Sequence, residues 1–287
     1  MTNKECVLIG GDIRQKYIAD ILLKHGATVT SIGLERCDQM STEVMITDKI
    51  PAESIIILPI PITKDGIKLF APFSERNISL NALFDSFTKR NIVCGGLFPN
   101  YFVDKLKERN IDYFDYGRDP AFQYQNGLPS AEGAIELAMR HTPYILRNAK
   151  VCVIGYGNIG KHLVSLLIKM GCQVTATARK STDLDDIRKT DAVPIETKDL
   201  DKAGRFDIVF NTVPALVVTN NVLQKQDSST LIIDLASKPG GVDFVYADKQ
   251  GIQCIQALSL PALYAPLTAA EITLDSIRTH LFSKEGN

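Results

Sequence analysis

Residues 150–160 read KVCVIGYGNIG, an apolar run that ends in Gly155, Gly157 and Gly160 at the spacing G-x-G-x-x-G. Each glycine has its own physical task. The first permits a tight turn, the second lets backbone approach a pyrophosphate, and the third lets the following helix pack on the strand. Tyr156, Asn158 and Ile159 complete the expected phosphate-binding loop. Where such a site holds an unphosphorylated ribose, Asp or Glu ends the second strand, roughly twenty residues further on. Here that strand ends Ala178-Arg179-Lys180-Ser181. No acid is present to repel a 2′-phosphate, and the Arg179 guanidinium is a planar fork of donors suited to one. Lys180 and the Ser181 hydroxyl stand beside it. The bland alternative is two basic residues ending a strand at the surface. The pattern points to NADP rather than NAD, with Thr212 and Pro214 after the fourth strand lining the nicotinamide pocket.

These residues need a scaffold, and the chain supplies one twice. Val151–Ile154 is wholly apolar, as a strand buried on both faces requires. Ile159, Leu163, Leu166, Leu167 and Met170 recur at helical spacing before Gly171, and Cys172–Ala178 is the next strand. Later strands are expected at 192–195, 207–211, 231–235 and 252–256. The first half has the same rhythm: strands at 5–9, 27–32, 54–58, 92–94 and 111–113, with helices at 13–25, 80–90 and 101–109. Strands alternating with helices imply βαβ units and parallel sheets. The segment 116–130, rich in Gly, Pro, Asn and Asp, reads as a connection, and 131–141 as a helix joining two domains. The expected fold class is α/β, with two parallel-sheet, Rossmann-like domains. The first covers 1–130 (flavodoxin- or Rossmann-like), the second, NADP-binding, covers 131–265, and a C-terminal helix within 266–287 packs back on the first. Ligands of such folds bind at the carboxyl ends of the strands, here in a cleft between the domains.

The 287 residues are 45% hydrophobic and 23% charged, with a formal net charge of −1. That balance offers no field to attract nucleic acid or an anionic membrane. The longest apolar run, 54–62, is too short to cross a bilayer and contains prolines. MTNKECVLIGG runs straight into a strand without a signal peptide pattern, so the expected location is the cytoplasm. The six cysteines show no C-x-x-C and several lie in strands, where a thiol is a small buried hydrophobe. The four histidines form no ligand set, and no metal is expected.

Five stretches resemble the family of dipicolinate synthase A subunits: GGDIRQ (10–15), LPSAEGAIELA (128–138), VIGYGNIG (153–160), NTVPALVV (211–218) and IDLASKPGGVDF (233–244). The resemblance implies oxidation of a dihydrodipicolinate to dipicolinate (pyridine-2,6-dicarboxylate) with NADP⁺ as hydride acceptor, in spore formation. It also implies a heteromeric complex with the B subunit of dipicolinate synthase; a homo-oligomer stays open alongside it. One stretch departs. Where the family carries L-P-G-K-V-A-P, this chain has Leu260-Pro-Ala-Leu-Tyr-Ala-Pro266, without the glycine and the lysine.

Aromatising a dihydropyridine removes one hydride and one proton, and needs no strongly activated nucleophile. The protein must place the ring carbon against the nicotinamide, neutralise two carboxylates and route a proton. Candidates are Lys238 and Ser237 at a strand's carboxyl end, and Arg14 after Gly10-Gly11-Asp12. The alternative for Lys238 is a solvated turn, and for Arg14 a surface position. Ser130 and Glu132 are expected to open the linking helix as N-cap and first-turn acid, with a catalytic role for Glu132 as the alternative. His141 and His162 are further candidates for a proton relay. Two other functions compete with the oxidoreductase: an NADP-binding assembly or sensing subunit, and an NADP-dependent dehydrogenase of a 2-hydroxy or 2-amino acid. The last usually has Arg-Gly after the strand at 231–235, where this chain has Ala236-Ser-Lys-Pro-Gly-Gly241.

Overall fold

The computed structural model describes residues 4–285 and divides into two compact units, residues 1–123 with 265–287, and residues 124–264. In the first unit the chain runs β1 (Glu5–Ile9), α1 (Arg14–Lys24), β2 (Thr28–Ile32), β3 (Met45–Ile46), β4 (Ile55–Ile57), α2 (Leu80–Asp85), β5 (Ile92–Gly95), α3 (Asn100–Glu108) and β6 (Asp112–Asp115). Its sheet has the order β3-β2-β1-β4-β5-β6, all parallel. Cys6 and Leu8 of β1 enter one core, and Val7 and Ile9 the core on the opposite face. The run is apolar throughout because both faces are covered.

Helix α4 (Pro120–His141) follows, and the two units divide within it. The second unit continues with β7 (Lys150–Ile154), α5 (Asn158–Lys169), β8 (Gln173–Ala178), α6 (Ser181–Arg188), β9 (Val193–Glu196), β10 (Ile208–Asn211), α7 (Asn220–Leu223), β11 (Leu231–Asp234), α8 (Phe244–Lys249), β12 (Gln253–Gln256) and α9 (Leu260–Tyr264). Its sheet, β9-β8-β7-β10-β11-β12, is again parallel and repeats the order of the first. Val151, Val153, Ile208 and Ile232 are fully buried, as strands covered on both faces require. The chain closes with α10 (Pro266–Glu285), whose Ala270, Leu274 and Ile277 share a core with Ile18, Ala19 and Leu22 of α1. The C-terminal helix therefore packs on the first unit, as expected from the sequence.

Three expectations are corrected. The segment 116–130 is mostly helix, since α4 begins at Pro120. Asp119 caps that start, its carboxylate accepting from the Ala121 and Phe122 amides. Proline at the first helical position loses no needed donor. Gly127 is a packing residue: a Cβ there would stand 2.8 Å from the Asn158 carbonyl oxygen. Ser130 is consequently not an N-cap and Glu132 not a first-turn acid; both lie well inside α4, and Ser130 Oγ donates to the Asn126 carbonyl at 2.9 Å. The helix expected over 80–90 ends at Asp85, because Asn91 turns inward and accepts from the Thr88 amide. Strand β3 was not foreseen. It is two exposed residues paired with β2.

Candidate functional site

In an open parallel sheet of this order, ligands bind beyond the carboxyl ends of the strands where the order reverses. In the second unit that point lies between β7 and β10. The three glycines of 155–160 divide their tasks there. Gly155 has φ +93°, and a Cβ on it would meet Thr212 Oγ1 at 2.5 Å. A Cβ on Gly160 would lie 2.1 Å from the Gly155 carbonyl oxygen, so α5 starts in direct contact with the turn. A Cβ on Gly157 meets nothing within 4 Å: this side of the loop is open. No side chain caps α5. Its first amides and the positive end of its macrodipole suit a phosphate.

The turn is fixed from below. The Gly155 amide donates to the carbonyl and the hydroxyl of the buried Thr177. Thr212 Oγ1 and the Thr212 amide both donate to the Ile154 carbonyl at 2.9 Å. At the end of β8, Arg179 and Lys180 are exposed, and Lys180 and Ser181 open α6. Two cations at the positive end of a helix concentrate potential that favours an anion. Asp183 is the acid of that first turn. With Asp186 it stands near the Tyr156 hydroxyl, whose pKa is raised first by burial and then by the two carboxylates. Lys161 lies 5.5 Å over the Tyr156 ring.

Sequence reasoning missed the polar pair beside this loop. Asn211 and Asp234, both fully buried, end the neighbouring strands β10 and β11. Asn211 donates through Nδ2 to Asp234 Oδ1 at 2.7 Å and to the Val213 carbonyl at 3.0 Å, and its Oδ1 accepts from the Val213 amide. Asp234 accepts further from the amides of Ala236 and Gly241. The Gly241 carbonyl accepts in turn from Val217 and Val218. A polar residue ending an otherwise apolar strand, twice, was the available signal.

Ser237 and Lys238 stand exposed on the loop that Asp234 closes. Arg14 is neither at the surface nor open. Its Nε and Nη2 form a two-point pair with Asp12 at 2.8 Å, and Nη2 also donates to the Ile60 carbonyl. Burial works against its charge, but the Asp12 hydrogen bond and charge prevail and its pKa is raised. In this unit the glycine turn is filled by protein: the Gly11 amide donates to the Phe70 carbonyl at 2.8 Å. Glu132 is exposed, in a groove of about 560 Å³ with Met139 and Met170. The two relay candidates, His141 and His162, have partners within the second unit. His162 donates to the Tyr124 carbonyl at 2.9 Å, and His141 Nδ1 accepts from Gln253. Where the resembled family has lysine, Leu263 is 69% exposed. The neighbouring Tyr264 packs where Gly133 leaves room, and its hydroxyl pKa is raised by desolvation and by Glu136. Cys6 and Cys254 are pushed up to about 11 by burial, so neither is a ready thiolate at neutral pH.

Residues 5–117 match the family described as the N-terminal domain of the dipicolinate synthase A subunit, and residues 130–231 match the NAD-binding domain of D-isomer-specific 2-hydroxyacid dehydrogenases. The second match relates the unit to dehydrogenases and makes the chain oxidoreductase-like. The dipicolinate synthase A subunit of Bacillus subtilis is 32% identical over 298 aligned residues, spanning 100% of this chain and 99% of that one. The crystal structure of the Bacillus halodurans A subunit superposes with a TM-score of 0.86 at 32% identity, covering 98% of each chain. That of the Bacillus subtilis protein gives 0.84 at 30% identity, covering 99% of this chain and 97% of its own. With relatives of that identity along its whole length, this chain belongs to the family of dipicolinate synthase A subunits.

Proposed function

We propose that the chain is the NADP-dependent A subunit of a dipicolinate synthase, oxidising dihydrodipicolinate to dipicolinate in spore formation together with a B subunit. The observation that carries the reading is the full-length relation to dipicolinate synthase A subunits, joined to a β8 end that offers Arg179 and no acid. The site fits a dinucleotide. Gly157 leaves open space, the amides at the start of α5 are uncapped, and Thr212 and Val213 lie against the turn, with Pro214 next in the chain. Residues Gly155–Gly160 would hold the pyrophosphate, while Arg179, Lys180 and Ser181 would hold the 2′-phosphate. NADP⁺ supplies a hydride acceptor when bound. The chain's part is to orient the ring and neutralise its carboxylates, with Lys238 and Ser237, exposed beyond the carboxyl end of β11, as the candidate groups and a proton left to solvent or a relay. Arg14 is already paired with Asp12, so it contributes only by exchanging that carboxylate for the substrate's. Among the described residues no helix is long and apolar enough to cross a membrane.

Leu263 favours a second reading, an NADP-binding assembly or sensing subunit whose partner does the chemistry. The dehydrogenase of a 2-hydroxy acid is favoured by the match over 130–231 alone, which stops before the 236–241 loop. One experiment separates them. Chain, with and without the B subunit, is mixed with enzymatically generated dihydrodipicolinate and NADP⁺, and NADPH is followed by absorbance. NADPH formed by the chain, alone or with its partner, supports the first reading provided the partner alone forms none. Binding of NADP⁺ without turnover in either mixture overturns it in favour of the second.

A further inference from the structure

We infer that the buried Asn211–Asp234 pair is a positioning device that registers the Lys238 loop against the nicotinamide-side turn. The inference rests on the reading of Lys238 and Ser237 as substrate-facing. Asn211 holds both backbone polar groups of Val213, which sits between Thr212 and Pro214. Asp234 holds the amides of Ala236 and Gly241, the two ends of the segment carrying Ser237, Lys238 and Pro239. The 2.7 Å bond between the two side chains joins the segments. Their backbones are tied a second time through the Gly241 carbonyl and the Val218–Val242 bridge.

The geometry leaves no slack. A Cβ on Gly241 would lie 2.2 Å from Asn211 Nδ2, and one on Gly240 would lie 2.9 Å from Asp234 Oδ2. A buried carboxylate is sustained only when its oxygens are satisfied. Here Asn211 and two backbone amides do this, and none of them is the exposed lysine. Lys238 is thereby left facing outward on a loop whose ends are fixed, the condition for presenting a cation to an anionic ligand at constant geometry.

The variant that reads this is Asp234→Asn. Its amide can keep the bonds from Asn211 and Ala236 only by turning a donor toward the Gly241 amide, so that anchor is lost. Three quantities are measured: dipicolinate affinity and NADPH affinity by calorimetry, and amide hydrogen exchange over 212–218 and 236–243. The expected result is about a tenfold loss of dipicolinate affinity, one hydrogen-bond anchor's worth. NADPH affinity stays within about twofold, and exchange rises in those two segments. Thr230→Val is the control for stability alone. It removes the buried Thr230 hydroxyl's bond to the Phe206 carbonyl at the opposite end of β11 and leaves the loop intact. It lowers the melting temperature without splitting the two affinities. Unchanged exchange at Gly241, or equal loss of both affinities in Asp234→Asn, overturns the positioning role. If wild-type chain, with and without the B subunit, binds NADPH but no dipicolinate, the functional reading and the ligand-presenting role fail together, and rising exchange still identifies the clamp itself.

Discussion

Replacing Arg179 with alanine is expected to change which dinucleotide the chain prefers. Arg179 is exposed at the end of β8, with no side-chain hydrogen bond or ion pair among the described residues, so its removal breaks none. A charge-assisted hydrogen bond to phosphate is worth about 1.5–3 kcal/mol. Exposure and salt screening place this one at the lower end. About 1.4 kcal/mol is a factor of ten, so NADP affinity should fall about tenfold. Lys180 and the α6 N-terminus remain, which keeps the loss from being complete. NAD has no 2′-phosphate, and its affinity should stay within about twofold on the same energy scale. Calorimetric titration of wild type and Arg179→Ala with both dinucleotides reads the four constants. Raising salt from low to physiological strength should narrow the difference, because the contact is solvent-exposed. Wild type binding NAD as tightly as NADP, or a variant losing both equally, refutes the reasoning.

Other outcomes follow from specific contacts. Gly157→Ala should fold like wild type yet bind dinucleotide poorly, since its Cβ points into open space; Gly160→Ala should also lower the melting temperature, because its Cβ meets backbone at 2.1 Å. Leu274→Ala, fully buried against α1, should cost about 2–5 kcal/mol in urea unfolding; a loss under about 1 kcal/mol would show that α10 adds little to the first unit. The Asp227 carboxyl is held down to about 2 by the Ser229 hydroxyl, the Arg205 guanidinium and the Ser229 amide. A depressed folded pKa contributes stability above the unfolded value near 4, and that contribution is lost as pH falls through about 2. The stability gap between wild type and Asp227→Asn should therefore be present at neutral pH and shrink from about pH 4 downward. A gap that is constant across that range would assign Asp227 no titrating role.

The legible parts of the sequence were those whose residue types have one physical explanation. Wholly apolar runs such as Val151–Ile154 require burial on both faces, so the central strands and their parallel arrangement could be read directly. The tasks of the three glycines were readable because only their absent side chains explain the spacing. Gly127 and Pro129 have two explanations. As chain breakers they argue for a loop, but α4 passes through both, with Gly127 serving the approach of the α5 start. Propensity lost there to a tertiary contact that no local window contains. Strand β3 was invisible for the converse reason: its exposed Met45 and Ile46 are ordered by β2 and carry no pattern of their own.

The Asn211–Asp234 pair was the largest omission at the site, and its illegibility has a cause. Each residue ends an apolar strand, where a polar residue draws no notice because most strand ends meet water. Only the parallel register between β10 and β11, which sets Asn211 against Asp234, turns two ordinary strand ends into one buried unit. The stretches NTVPALVV and IDLASKPGGVDF are distant in sequence, yet their glycine and amide positions are mutually exclusive volumes: Gly241 can carry no Cβ while Asn211 stands 2.2 Å away. Neither stretch can therefore change at these positions alone. A side chain at 241 would meet the Asn211 amide and also the Val213 and Ala215 carbonyl oxygens, at 2.2, 2.5 and 2.9 Å, and a smaller residue at 211 removes a bond from a buried carboxylate. The constraint lies between the two segments, side chain and backbone together, and a sequence read one residue at a time cannot display it.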